Sequence, residues 1–187
     1  MNKNVLKILE VLGKGKNYFS QIHELSGIKS KNNLLRNLTR MTELNVVKKE
    51  KGKGNTHYSV NYESSLALIL LQVGNVVRMQ KLPFERRKAI EEIVKVAKPL
   101  FAVLFGSSAK GNFKKDSDVD LLLVYDKEAR DVGKEAKDIG SKYGVKLRST
   151  VMGFDELDTK DETLKHILKT GYPVTGHDYF YGVYKGV

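Results

Sequence analysis

Cysteine is absent from the 187 residues, which excludes disulfides and cysteine-ligated zinc and suits a reducing compartment. Long apolar runs are missing too. The densest, Leu66 to Val77, is too short and too interrupted to span a bilayer, so no membrane association is expected. The N-terminal MNKNVLKILEVL is a short amphipathic run without a cleavage region, so no signal peptide is expected and the localisation is read as cytoplasmic. The four histidines, His23, His57, His166 and His177, are scattered without metal-ligand spacing. Acidic residues are scarce in the first third. Residues 1–62 hold 12 Lys+Arg against 4 Asp+Glu, a net of +8, while the remainder holds 21 against 18. A basic first third before a nearly balanced remainder argues for two modules with different partners. Charged residues at 29% and hydrophobic residues at 41% suit a globular chain of one or two domains.

What is present concentrates in Leu104 to Val124, LFGSSAKGNFKKDSDVDLLLV. An apolar run, Phe101 to Phe105, reads as a buried strand and opens into Gly106-Ser107-Ser108, Ala109-Lys110 and Gly111. A polar loop then leads to Asp118 and Asp120 at the start of a second apolar run, Val119 to Val124. Residues two apart on a strand share a face, so the two carboxylates should stand side by side with Val119, Leu121 and Leu123 facing a core. Carboxylates this close repel unless a cation sits between them, and Mg²⁺ takes such oxygen ligands together with water and substrate phosphates. The glycine-serine turn offers backbone N–H groups and a hydroxyl to a phosphate. A P-loop is excluded, because Asn112-Phe113 follows Gly111 where Lys-Ser/Thr would be required.

Gly106-Ser107, Ala109-Lys110-Gly111 and Ser117-Asp118-Val119-Asp120-Leu121-Leu122 resemble the signature of the DNA polymerase beta-like nucleotidyltransferases, particularly the minimal prokaryotic ones. The resemblance implies an α/β fold with a small mixed sheet, triphosphate held at Gly106 and Ser107 with help from Lys110, and Mg²⁺ held by catalytic Asp118 and Asp120. Members usually carry a third carboxylate on the next strand as a base towards the acceptor hydroxyl. Here that strand, Val145 to Met152, contains no acid, while Lys146, Arg148 and Thr150 share one face. Asp155 and Glu156, just beyond it, are the nearest substitutes.

In the first module, Val5, Ile8, Leu9 and Leu12 fall at helical spacing, and Phe19, Ile22 and Leu25 mark a second short helix. Ser30 can cap a third, with Leu34, Leu35, Leu38, Met41 and Leu44 as its buried stripe and Lys31, Asn32, Arg36, Asn37 and Arg40 on the other face. Val46 to Glu50 and Thr56 to Asn61 read as a hairpin around Lys51-Gly52-Lys53-Gly54-Asn55. The element order resembles a winged helix-turn-helix domain. That resemblance makes Arg36, Asn37, Arg40, Lys51 and Lys53 the candidate DNA contacts, with Lys48 and Lys49 as further phosphate contacts.

The expected organisation is two domains. Residues 1–62 form a winged helix-turn-helix, mostly α with a β-hairpin wing. Residues 63–83 form a connector helix, and residues 84–187 an α/β nucleotidyltransferase-like domain. The connector is apolar on most sides and must be buried, between modules or against a second copy in a homodimer. Beyond the aspartate strand, a helix over Glu128 to Tyr143 and a capping box from Thr159 and Glu162 complete the pattern. The functional expectation is Mg²⁺-dependent transfer of a nucleoside monophosphate from an NTP to an unidentified acceptor (protein, RNA or small molecule), by a protein that also binds DNA. The alternative is a DNA-binding regulator whose degenerate transferase domain senses nucleotide.

Overall fold

The structure, a computed structural model, describes residues 2–15, 17–114, 116–127, 129–158 and 160–184. The chain divides into two compact units, Met1–Gly74 and Asn75–Val187. Among the described residues no helix is long and apolar enough to cross a membrane.

The first unit runs α1 (Lys3–Leu12), β1 (Asn17–Tyr18), α2 (Phe19–Ser26), α3 (Lys31–Glu43), β2 (Val47–Lys51) and β3 (Thr56–Val60), with sheet order β1-β3-β2. Its core is Ile8, Leu9, Leu12, Ile22, Leu34, Leu38 and Met41 with Val47 and Val60 from the hairpin. Ser30 caps α3, its Oγ accepting from Asn33 N at 3.2 Å, as the sequence predicts. Three leucines expected in stripes are exposed: Leu25, Leu35 and Leu44. The buried face of α2 is centred on Ile22 and Ser26, one turn apart, which leaves Leu25 to the side. Leu35 is one residue, about 100° of helix, away from the Leu34–Leu38–Met41 line. Leu44 is the C-cap, where the chain leaves the helix through Asn45 at φ 56.

Helix α4 (Ser65–Gln80) follows. Within the chain its line through Ala67, Leu71 and Asn75 is buried, while Leu66, Ile69, Val76 and Val77 are exposed.

The second unit continues α5 (Phe84–Ala97), β4 (Phe101–Phe105), α6 (Gly106–Lys110), β5 (Val119–Tyr125), α7 (Gly133–Tyr143), β6 (Leu147–Gly153), a 3₁₀ turn (Phe154–Glu156), α8 (Glu162–Thr170), β7 (Tyr172–Thr175) and α9 (His177–Tyr184). The sheet order is β6-β5-β4-β7. Crossover helix α7 makes β5 and β6 parallel, and the other pairs are antiparallel. Central strand β4 is apolar throughout because both sheet faces are covered. Ala102, Leu104, Val119, Leu121 and Leu123 share a core with Ala89, Ile90 and Ile93 of α5 and Ala136 and Ile139 of α7. On the opposite face Phe101 meets Phe180 of α9 edge-on at 6.2 Å between centroids.

Three boundaries differ from the sequence reading. Helix α7 starts at Gly133, after buried Val132, and Glu128 lies outside the described residues. Before it, Arg130 reaches back to Val96 O at 3.3 Å and forward to Glu135 at 2.6 Å. Strand β6 starts at Leu147 because Val145 N closes the end of α7 on Gly140 O at 2.9 Å. Helix α8 is capped by Asp161, whose Oδ1 accepts from Leu164 N at 2.7 Å; Thr159 lies outside the described residues.

Lys98, between α5 and Pro99, is an exposed non-glycine residue at φ 51. A side chain costs roughly 1–2 kcal/mol in that left-handed conformation, partly offset in glycine by unfolded-chain entropy. Lys98→Gly should therefore stabilise the protein by about 0.5–1 kcal/mol in urea unfolding. A destabilised variant would contradict the assigned backbone geometry.

Candidate active site

The site begins where β4 delivers the chain into Gly106. Phe105 pairs with Asp120 across the antiparallel β4–β5 ladder, which brings the next residue against the Asp120 carboxylate. Gly106 has φ 69, and a Cβ there would collide with Asp120 Oδ2. Both the backbone conformation and the close approach require glycine. Ser107 follows, half-buried, while Lys110 is exposed at the end of α6, three residues on. Asp118 immediately precedes β5, so the loop before it sets its position.

That loop is held by Arg86, a residue the sequence reading did not single out. Arg86 is only 4% exposed. Its Nη1 donates to Ser108 Oγ at 2.8 Å and to Asp118 O at 3.5 Å. Its Nη2 donates to Lys114 O at 3.0 Å and Ser117 O at 2.7 Å. The guanidinium also lies over the Phe113 ring, 4.5 Å from its centroid. Ser108 Oγ donates onward to Asp118 O at 3.3 Å. From the end of α4, Arg78 donates to Ala109 O at 3.0 Å and stacks on Tyr172 at 3.9 Å. The sequence did carry a signal for Arg86. It lies four residues before Ile90 and seven before Ile93, on the buried stripe of α5.

Asp118 and Asp120 are within electrostatic reach of each other but have different surroundings. Asp118 Oδ2 pairs with Arg148 Nε at 2.7 Å and Oδ1 with Lys146 Nζ at 3.5 Å. Burial, and after it the charge of Asp118, pushes the Asp120 carboxyl above the usual carboxylate range, with Arg148 pulling it partly back. Arg148 is the register partner of Asp120 across β5–β6, so a guanidinium stands where a third carboxylate was sought. Asp155 and Glu156 do not replace it. They lie past Gly153, five residues or roughly 16 Å along the strand from Arg148, and Glu156 accepts from Gly153 N at 2.6 Å. Among the described residues no cluster of three or more His, Cys, Asp or Glu is poised for a metal. Two carboxylates, of which Asp118 is already ion-paired, still suit Mg²⁺ as oxygen ligands, because this hard cation completes its shell with water and phosphate oxygens. Lys146 also lines a cleft of about 580 Å³ with Ser117, Gly133, Ala136, Gly140 and Val145.

The residues expected to contact DNA divide. Arg36 and Arg40 are exposed on α3 beside Asn32, Leu35 and Thr39, and Lys51 and Lys53 are exposed at the hairpin tip. Asn37 is not on that face. It is 7% exposed, with its amide donating to Asn33 O and Oδ1 at 2.7 and 2.6 Å and its Oδ1 accepting from Asn2 at 3.1 Å. Its position, three residues after Leu34 and one before Leu38, turns it towards the core edge.

Two measurements test this geometry. Arg86→Met removes a charged donor from three carbonyls and a hydroxyl and should cost about 3 kcal/mol in urea unfolding; an effect below about 1 kcal/mol would contradict the clamp. The raised carboxyl of Asp120 makes its ionised form a burden on the fold above that pKa, and the burden disappears as pH falls through it. Asp120→Asn, in chelator, should therefore raise the melting temperature at pH 7, with the gain shrinking on acidification. No gain at pH 7 would contradict the assignment.

Residues 85–171, from α5 through α8, match the family model of the nucleotidyltransferase domain. No curated protein and no solved structure gives a significant match to the chain. Arg86, Gly106, Asp118, Asp120 and Arg148 all lie within the span that matches the nucleotidyltransferase domain model.

Proposed function

We propose that the protein transfers a nucleoside monophosphate from an NTP to an acceptor and releases pyrophosphate, using Mg²⁺. The observation that supports this reading is the contact between Gly106 and Asp120, which sets the glycine-serine turn directly against the Asp120 carboxylate. The N–H groups of Gly106 and Ser107 and the Ser107 hydroxyl orient the triphosphate, with Lys110 as a nearby cation. Asp118 and Asp120 hold the metal, which when bound offsets charge on the phosphates in the transition state. Arg86 keeps the Asp118 backbone in place from beneath.

The first unit, in this reading, binds DNA through Arg36 and Arg40 on α3 and Lys51 and Lys53 at the hairpin, and Asn37 acts as a helix-positioning residue. The net charge of +8 over residues 1–62 supports nucleic acid as the partner. A second reading, a nucleotide-sensing regulator without transfer, is favoured by one observation, the cationic Arg148 opposite Asp120.

Incubation with α-labelled NTP and Mg²⁺ over a range of acceptors tests the first reading. Label should move to an acceptor, and Asp118→Asn with Asp120→Asn should reduce transfer at least about a hundredfold without unfolding the protein. Undiminished turnover in the double variant would overturn the assignment. For DNA, Lys51→Ala with Lys53→Ala should lower the slope of log affinity against log salt by about 2 if each meets a phosphate. An unchanged slope would remove the hairpin from the interface.

A further inference from the structure

A hydroxyl acceptor has to lose a proton as it attacks phosphorus, and the group that takes it must lie beside the reacting atoms. In this site the position opposite Asp120 on the neighbouring strand is Arg148, which cannot take a proton. Asp118 is paired with Arg148 and Lys146, and Asp120 faces Gly106. The wall next to the aspartates is cationic rather than basic in the proton-accepting sense. It is also open: the side chains of Arg148 and Lys146 are 62% and 67% exposed, against 18% for Asp118. Arg148 meets Asp118 through Nε, and a guanidinium carries four further N–H donors. Each cation can hold Asp118 on one side and an incoming anion on the other. Lys146 extends this wall into the cleft beside α7, whose volume suits a small ligand.

We propose that the acceptor is a phosphate monoester, bound by Arg148 and Lys146, whose own phosphate oxygen is the nucleophile; this rests on the nucleotidyl-transfer reading above. A phosphate monoester has its second pKa near 6, so at neutral pH the attacking oxygen is already ionised and needs no base. The oxygen forms a bond to the α-phosphorus of the NTP as the bond from that phosphorus to the α–β bridging oxygen breaks. Pyrophosphate leaves with the bonding electrons, and the product is a phosphoanhydride. No proton has to be removed from the nucleophile. The shared chemistry fits a free nucleoside monophosphate or the phosphorylated end of a nucleic acid.

The test uses the full chain, Mg²⁺, each α-labelled NTP, and acceptors in matched pairs. One pair is a nucleoside 5′-monophosphate and its nucleoside; the other is an oligonucleotide with a 5′-phosphate and the same strand with a 5′-hydroxyl. Label is expected only on phosphorylated members, in a form that resists phosphatase, and the responding pair identifies the source. Arg148→Gln with Lys146→Gln, both at exposed side chains, should raise the KM for that acceptor at least about tenfold, a larger factor than any change in the KM for the NTP. Equal transfer to the hydroxyl members would overturn the acceptor class and leave nucleotidyl transfer standing. Retention of Mg-NTP with no transfer to any phosphate monoester would overturn it as well. Failure to bind Mg-NTP at all would remove the underlying reading with it.

Discussion

A buried guanidinium is costly to hold away from water unless each of its donors is met. The two Nη groups of Arg86 meet three carbonyls and one hydroxyl, and its plane lies on an aromatic ring; these partners come from α6, the loop after it and the entry to β5. One side chain on α5 therefore sets the relation between the phosphate-facing turn and the first aspartate. The carbonyl of Asp118 is tied inward, which leaves its carboxylate directed to Arg148 and Lys146. Loop residues are ordinarily the least fixed part of a site. Here Lys114, Ser117 and Asp118 are held from inside the core through their carbonyls.

The charges on the outer side follow a different rule. Asp118 and Asp120 oppose each other, and the fold compensates only Asp118 with close ion pairs. Exposed pairs of this kind contribute on the order of 0–1 kcal/mol and exchange partners readily. Asp120 is left with a desolvated carboxylate against glycine backbone. A protein interior accepts such a group where a cationic ligand completes it, which is the physical content of assigning the site to a metal-bound triphosphate.

Much of this site was legible in the sequence because it depends on short-range order. The glycine-serine turn after an apolar strand, the S-D-x-D before the next one, and the lack of acid in Val145 to Met152 are local patterns. The covering of β4 on both faces also followed from its unbroken apolar run. Arg86 was not found because its role comes from contacts 22 to 32 residues away, although its place on the apolar stripe of α5 marked it as anomalous. Asn37 departs from its expected place for a related reason. Polarity argued for the exposed face, and a network with Asn2 and Asn33 overrode it. The exposed Leu35 and Leu44 show the converse, since apolar character alone does not decide which side of α3 meets the core. The boundaries of α7 and β6 shifted because Arg130 and the Val145–Gly140 bond act at the ends, where helical periodicity carries little information.

In the proposed site the carboxylates hold a cation, which in turn holds the triphosphate. Calorimetric titration of the full chain with each NTP, with Mg²⁺ and then in chelator, tests it most directly. At least one NTP should bind only with the metal present, and Asp118→Asn with Asp120→Asn should abolish this binding. Equal affinity with and without Mg²⁺, or binding indifferent to both aspartates, would contradict it.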